Sequence, residues 1–187
     1  MRPDAIEPVD DGRADHLVGL RLPDLSLAST AGDTVHLPTY APGRWVLFLY
    51  PRTGVPGQPE PAGWESIPGA KGCTAEACSF RDNLAGLRLA GAATVAGLSV
   101  QSTGYQLEAV RRLHLPYPLL SDSEGRLTAA LRLPTFAASG MTLLTRMTLV
   151  VDAGVISRVF YPVHPAEGHA EVVRDWLLAN PVQATVG

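Results

Sequence analysis

The chain has 187 residues, 46% of them hydrophobic and 18% charged, with a net charge of -3. That composition suits one globular domain, able to bury roughly two-thirds of the surface its unfolded form exposes. Fifteen Lys and Arg residues spread along the chain exclude a clustered basic surface for nucleic acid, and no stretch approaches the roughly 18 apolar residues of a membrane span. Residues 1–18 contain neither an apolar signal core nor a basic, acid-free transit segment, so they are read as a flexible acidic tail on a soluble, cytoplasmic protein, with the domain over 19–187.

Residues 25–37 alternate apolar with polar around Ala31-Gly32-Asp33, which predicts an N-terminal β-hairpin. Arg44 to Tyr50 is a short apolar run rich in strand formers and predicts a central strand covered on both faces. From Pro51 to Gly72 there is no periodicity, and prolines stand at 51, 56, 59, 61 and 68; this long loop is expected either to fold over a site or to be a surface insertion.

Thr74 to Ala90 carries Ala77, Phe80, Leu84 and Leu87 at helical spacing and is predicted as a single helix. A strand over Ala93–Val100, a helix over Gly104–His114, a brief strand at Leu119–Ser121 and a short helix over Glu124–Leu131 follow. Pro134 to Gly140 reads as loop, Met141–Val151 and Val155–Tyr161 as a second hairpin, and Glu167–Ala179 as the last helix. Strands alternating with helices imply an α/β fold with a mixed sheet, whose parallel part comes from the strands flanking the cysteine-bearing helix.

Two cysteines, close together, are too few for a secreted disulfide scaffold and point to chemistry, although two buried thiols acting as small hydrophobes would also fit. Cys73 falls where the long loop enters the helix, beyond the carboxyl end of a predicted central strand, where ligands bind in open α/β sheets. Unpaired backbone N–H groups and the positive end of the helix dipole favour thiolate there, so Cys73 is the expected reactive sulfur. Cys78 lies five residues further on, about 7.5 Å along and about 140° around an ideal helix. A disulfide between the two would need the first turn to unwind, because Cβ atoms must come within about 3.5–4.5 Å. Four intervening residues differ from the C-x-x-C spacing of thioredoxin-type reductases, and spacing alone only weakly favours a peroxide-reducing dithiol. The five histidines are scattered, and neither a metal nor a cofactor is expected.

The run Gly72-Cys73-Thr74-Ala75-Glu76-Ala77-Cys78-Ser79-Phe80-Arg81-Asp82 resembles the active-site helix of the bacterioferritin-comigratory-protein, or peroxiredoxin Q, group of atypical two-cysteine peroxiredoxins. Phe48-Leu49-Tyr50-Pro51, Tyr117–Asp122 and Arg146–Asp152 are similar to further segments of that family. The resemblance implies a thioredoxin-like fold and a thiol peroxidase acting on hydrogen peroxide and organic hydroperoxides. It makes Cys73 the peroxidatic cysteine, Cys78 the resolving cysteine that closes a disulfide with it, and Arg146 the guanidinium beside the sulfur. It also implies a thioredoxin or similar dithiol protein as reductant, and a monomer. The family's proline and hydroxyl residue before the cysteine are replaced by Ser66 and Ala70, and Thr53 is expected to supply the hydroxyl from further away. The alternative is a non-enzymatic redox sensor or disulfide carrier built on the same two cysteines.

Overall fold

The computed structural model describes residues 6–182; the first five residues of the expected tail lie outside that range. Seven strands form one sheet in the order β2-β1-β5-β4-β3-β8-β9, from β1 (Ser26–Ser29), β2 (Thr34–His36), β3 (Arg44–Leu49), β4 (Val95–Ser99), β5 (Leu119–Ser121), β8 (Met147–Asp152) and β9 (Val155–Phe160). β3, β4 and β5 run parallel, and the remaining pairs are antiparallel. Every residue of β3 and β4 is buried, as the unbroken apolar character of β3 demands of a strand covered on both faces.

Alternation along β3 divides the interior in two. Trp45, Leu47 and Leu49 face a core shared with α4 (Arg126–Leu131), while Val46, Phe48 and Tyr50 face α1 (Cys73–Asp82), α2 (Leu84–Leu89), α3 (Thr103–Leu113) and α5 (His169–Ala179). The fold is thus the thioredoxin-like α/β arrangement expected, with an N-terminal hairpin and helices on both faces. Gly97 in β4 lies under side chains from both neighbouring strands: a Cβ there would stand 2.6 Å from Leu119 Cδ2 and 2.7 Å from Phe48 Cζ.

Several elements differ from the sequence reading. The predicted 74–90 helix is two helices, broken at Asn83, whose backbone leaves the helical basin at φ -98° and ψ 3°. The Asn83 side chain donates to Ser79 O at 3.0 Å, an example of a short amide competing with the backbone for helical carbonyls. Residues 134–140 are not loop throughout, because β6 (Thr135–Ala138) pairs with β7 (Met141–Leu144) in a separate two-stranded sheet. The expected 141–151 strand is therefore interrupted at Thr145-Arg146, where the chain passes from that ribbon to β8. Residues 14–18 are no free tail: Ala14 and Leu17 are buried, and Gly19 N–H donates to Ile156 O at 2.8 Å.

Candidate active site

Cys73 is the first residue of α1, directly after Gly72, whose φ of +104° lies in the left-handed region that favours glycine. That position is also tight, since a Cβ on residue 72 would stand 2.8 Å from Ala166 Cβ. The turn delivers Cys73 to the carboxyl edge of the parallel strands with its side chain 95% buried, the thiol donating to Ala70 O at 3.6 Å. Three buried aromatic rings brace this helix. Phe48 stacks on Phe80 at 4.5 Å and meets Tyr117 edge-on, and Tyr117 Oη donates to Ala77 O at 2.6 Å.

Arg146 arrives from the break between β7 and β8, and its guanidinium is all but fully buried. Its Nη2 donates to Cys73 Sγ at 3.2 Å and to Lys71 O at 3.0 Å, and its Nε donates to Gly69 O at 3.3 Å. Its Nη1 donates to Glu76 Oε2, an ion pair with no solvent exposure on the acid side. One cation therefore serves two acidic groups and also ties down the end of the 51–72 loop. Burial works against the Arg146 charge, yet the Cys73 sulfur and the Glu76 carboxyl more than offset it and hold the guanidinium above its ordinary range. Burial pushes the Glu76 carboxyl up to about 7, against the pull of Arg146. Behind them His169 shares its Nε2 with Thr148 Oγ1 at 2.9 Å and is brought down to about 4, by burial first and by the nearby Arg146 charge second.

Cys78, half-buried, lies within electrostatic reach of Arg81 and Arg112, and both cysteines are free thiols. Thr53 is bonded to Gln101. Its hydroxyl donates to Gln101 Oε1 at 3.3 Å, its N–H donates to the same oxygen at 2.9 Å, and Gln101 Nε2 returns a bond to Thr53 O at 3.1 Å. The structure records no hydrogen bond from Thr53 to Cys73, so the expectation that it replaces the missing hydroxyl is not met: Gln101 occupies it. Sequence reasoning assigns Glu76 no role in the site. Its spacing of three from Cys73, which places both on one helix face, was the available signal. Among the described residues no group of three or more His, Cys, Asp or Glu is arranged to hold a metal, and no helix is long and apolar enough to cross a membrane.

The family model described as Redoxin matches residues 17–175. The chain belongs to the redoxin family. Among redoxins similar to it, the putative peroxiredoxin bcp of Coxiella burnetii is 29% identical over 161 residues, covering 83% of this chain and 95% of that one. The peroxiredoxin Bcp of Bacillus subtilis is 32% identical over 113 residues, covering 60% of this chain and 62% of the other. In structure the chain is similar to peroxidoxin BcpB of Mycobacterium tuberculosis, with a TM-score of 0.70 at 25% identity over 89% of this chain and 98% of that one. Peroxiredoxin Q of Xanthomonas campestris shares the fold, with a TM-score of 0.67 at 22% identity over 95% and 99%. Within the redoxins the chain falls in the Bcp, or peroxiredoxin Q, group.

Proposed function

We propose that this redoxin is a thiol-dependent peroxidase with Cys73 as its nucleophile. The observation that carries the reading is the buried guanidinium of Arg146 donating to Cys73 Sγ at 3.2 Å, at a helix N-terminus. A permanently protonated donor at that distance stabilises an anionic sulfur and, during attack, the oxygen that departs.

In the first step the Cys73 thiolate attacks the terminal, hydroxyl oxygen of a peroxide. The S–O bond forms as the O–O bond breaks, and the departing alkoxide or hydroxide takes a proton from solvent to leave as alcohol or water. The sulfur is then a sulfenic acid, two electrons more oxidised. The Cys78 thiol condenses with it, releasing water and forming a disulfide that shields the site from irreversible oxidation. Because the two residues share α1, five positions apart, that step needs the helix to open at its first turn. A dithiol protein of the thioredoxin class restores both thiols, and the enzyme works as a monomer. Thr53 contributes by fixing the start of the loop through Gln101, outside direct contact with the sulfur.

The test is turnover by two variants. Cys73→Ser abolishes peroxide consumption, whereas Cys78→Ser consumes one equivalent and leaves a sulfenic acid that a dimedone-type reagent traps. Undiminished turnover in Cys73→Ser would refute the reading. A wild-type protein that oxidises but never turns over with a dithiol reductant would leave a redox sensor in its place.

A further inference from the structure

Residues 8–16, ahead of the redoxin match, touch three places that frame Arg146. Pro8 is half-buried between exposed neighbours because it rests on Gly69: a Cβ built there would stand 3.6 Å from both Pro8 Cβ and Pro8 Cγ. The Gly69 carbonyl is the one that accepts Nε and Nη2 of Arg146, each at 3.3 Å. Arg13 Nη1 donates to Thr135 O at 2.9 Å. Thr135 pairs with Leu144 at the end of the β6–β7 ribbon, and Thr145 N–H donates to Pro134 O at 2.9 Å, so this contact secures the backbone from which Arg146 projects. The third place is Tyr161, directly after Phe160, which pairs with Thr148 of β8.

Asp11 joins these contacts to one another. Its carboxylate accepts from Tyr161 Oη at 2.7 Å, from Arg13 Nε at 2.6 Å and from Arg13 N–H at 3.2 Å. The Tyr161 hydroxyl and Arg13 hold that carboxyl well below the usual range, so it is ionised throughout the neutral region. The far end of the segment is fixed by burial: Ala14 and Leu17 share a core with Leu131 and Ile156, and His16 Nε2 lies 2.9 Å from Leu131 O. Arg146 has many side-chain torsions to restrain, and partners that are themselves held restrain them before the peroxide arrives.

We propose that residues 8–16 are a positioning strap for Arg146: Pro8 seats the Gly69 carbonyl, Arg13 seats the end of the ribbon, and Asp11 ties both to Tyr161, so that the guanidinium stays on Cys73 Sγ. The proposal rests on the peroxidase reading and adds to it that the segment tunes the reactivity of the sulfur through Arg146.

The experiment uses the pre-reduced, full-length protein with Cys78→Ser throughout, so that one thiol reports. Two readouts are compared: the rate of Cys73 sulfenic acid formation with hydrogen peroxide, and the pH profile of Cys73 alkylation by iodoacetamide. Asp11→Ala slows the first about three- to tenfold, the worth of about one hydrogen bond, and raises the midpoint of the second by about 0.5–1 unit. Glu76 titrates in the same region in every variant, so the difference between profiles is what is read. Tyr161→Phe moves both readouts the same way and adds nothing on top of Asp11→Ala, as expected of residues acting as one unit. Asp11→Asn, which keeps an acceptor for Tyr161 Oη, recovers most of the loss. Asp175→Ala, which removes another exposed carboxylate paired with an arginine, leaves both within about twofold. Unchanged readouts in Asp11→Ala and Tyr161→Phe, or a slower rate with an unshifted alkylation profile, overturn the strap. Absence of sulfenic acid in the Cys78→Ser protein refutes the peroxidase reading instead, and the alkylation profiles still decide on the strap.

Discussion

Replacing Glu76 by Gln separates two opposed titrations that the buried site contains. The Glu76 carboxyl, fully buried, is held at about 7 against an ordinary 4.5, mainly by burial. Below the ordinary value it is neutral in both folded and unfolded chains. Between about 4.5 and 7 the unfolded chain ionises and the folded one does not, so this group's contribution to stability is lost as pH rises. At about 1.4 kcal/mol per unit, 2.5 units amount to roughly 3 kcal/mol. His169 works the other way. It sits at about 4 against an ordinary 6.5, so its contribution is full above 6.5 and is lost as pH falls towards 4, again by roughly 3 kcal/mol. In wild type the two slopes largely cancel.

Glu76→Gln keeps an oxygen for Arg146 Nη1 and removes one slope. The variant should match wild type near pH 4.5, gain stability as pH rises, and exceed wild type by about 3 kcal/mol at pH 7.5. Urea unfolding followed by circular dichroism, in excess dithiothreitol and at fixed ionic strength, measures the difference. A stability difference that does not vary with pH would refute this assignment. So would a variant weaker than wild type by about 3–5 kcal/mol throughout, the loss that follows when a net-stabilising buried ion pair is broken.

Two further substitutions probe the site and its scaffold. Arg146→Met removes the donor on Cys73 and should slow single-turnover peroxide reduction about 10²- to 10³-fold in stopped-flow measurements, with Cys78 still able to resolve the product. Gly97→Ala places a methyl 2.6 Å from Leu119 and 2.7 Å from Phe48, both fully buried, and should lower unfolding free energy by about 1–3 kcal/mol in urea titrations.

The parts of this protein that were legible in the sequence are those encoded locally. The β3 strand announces itself by an uninterrupted apolar run, and the Gly72-Cys73 boundary by the switch from an aperiodic loop to helical spacing. The Asn83 break was hidden because Ala77, Phe80, Leu84 and Leu87 keep the helical period straight through it. At the break Asn83 leaves the helical basin, with ψ 3°, while its side-chain amide turns back to Ser79 O. The β6 strand was hidden for another reason: Thr135–Ala138 becomes a strand by pairing with β7, and its sequence alone gives no sign of that partner. The site itself depends on distant contacts. Arg146 meets Glu76 and Cys73 across 70 and 73 residues. No periodicity reports such meetings, and Arg146 was singled out through family resemblance. Thr53 shows the limit of that route, since its hydroxyl was expected at the sulfur and is engaged by Gln101 instead.

The most direct test of the central claim is the intact mass of the reduced protein after one equivalent of peroxide, followed by peptide mapping. The account predicts the loss of two hydrogens, located in a bridge between Cys73 and Cys78. A protein whose mass is unchanged, or whose added oxygen maps to methionine with both thiols still alkylatable, would contradict it.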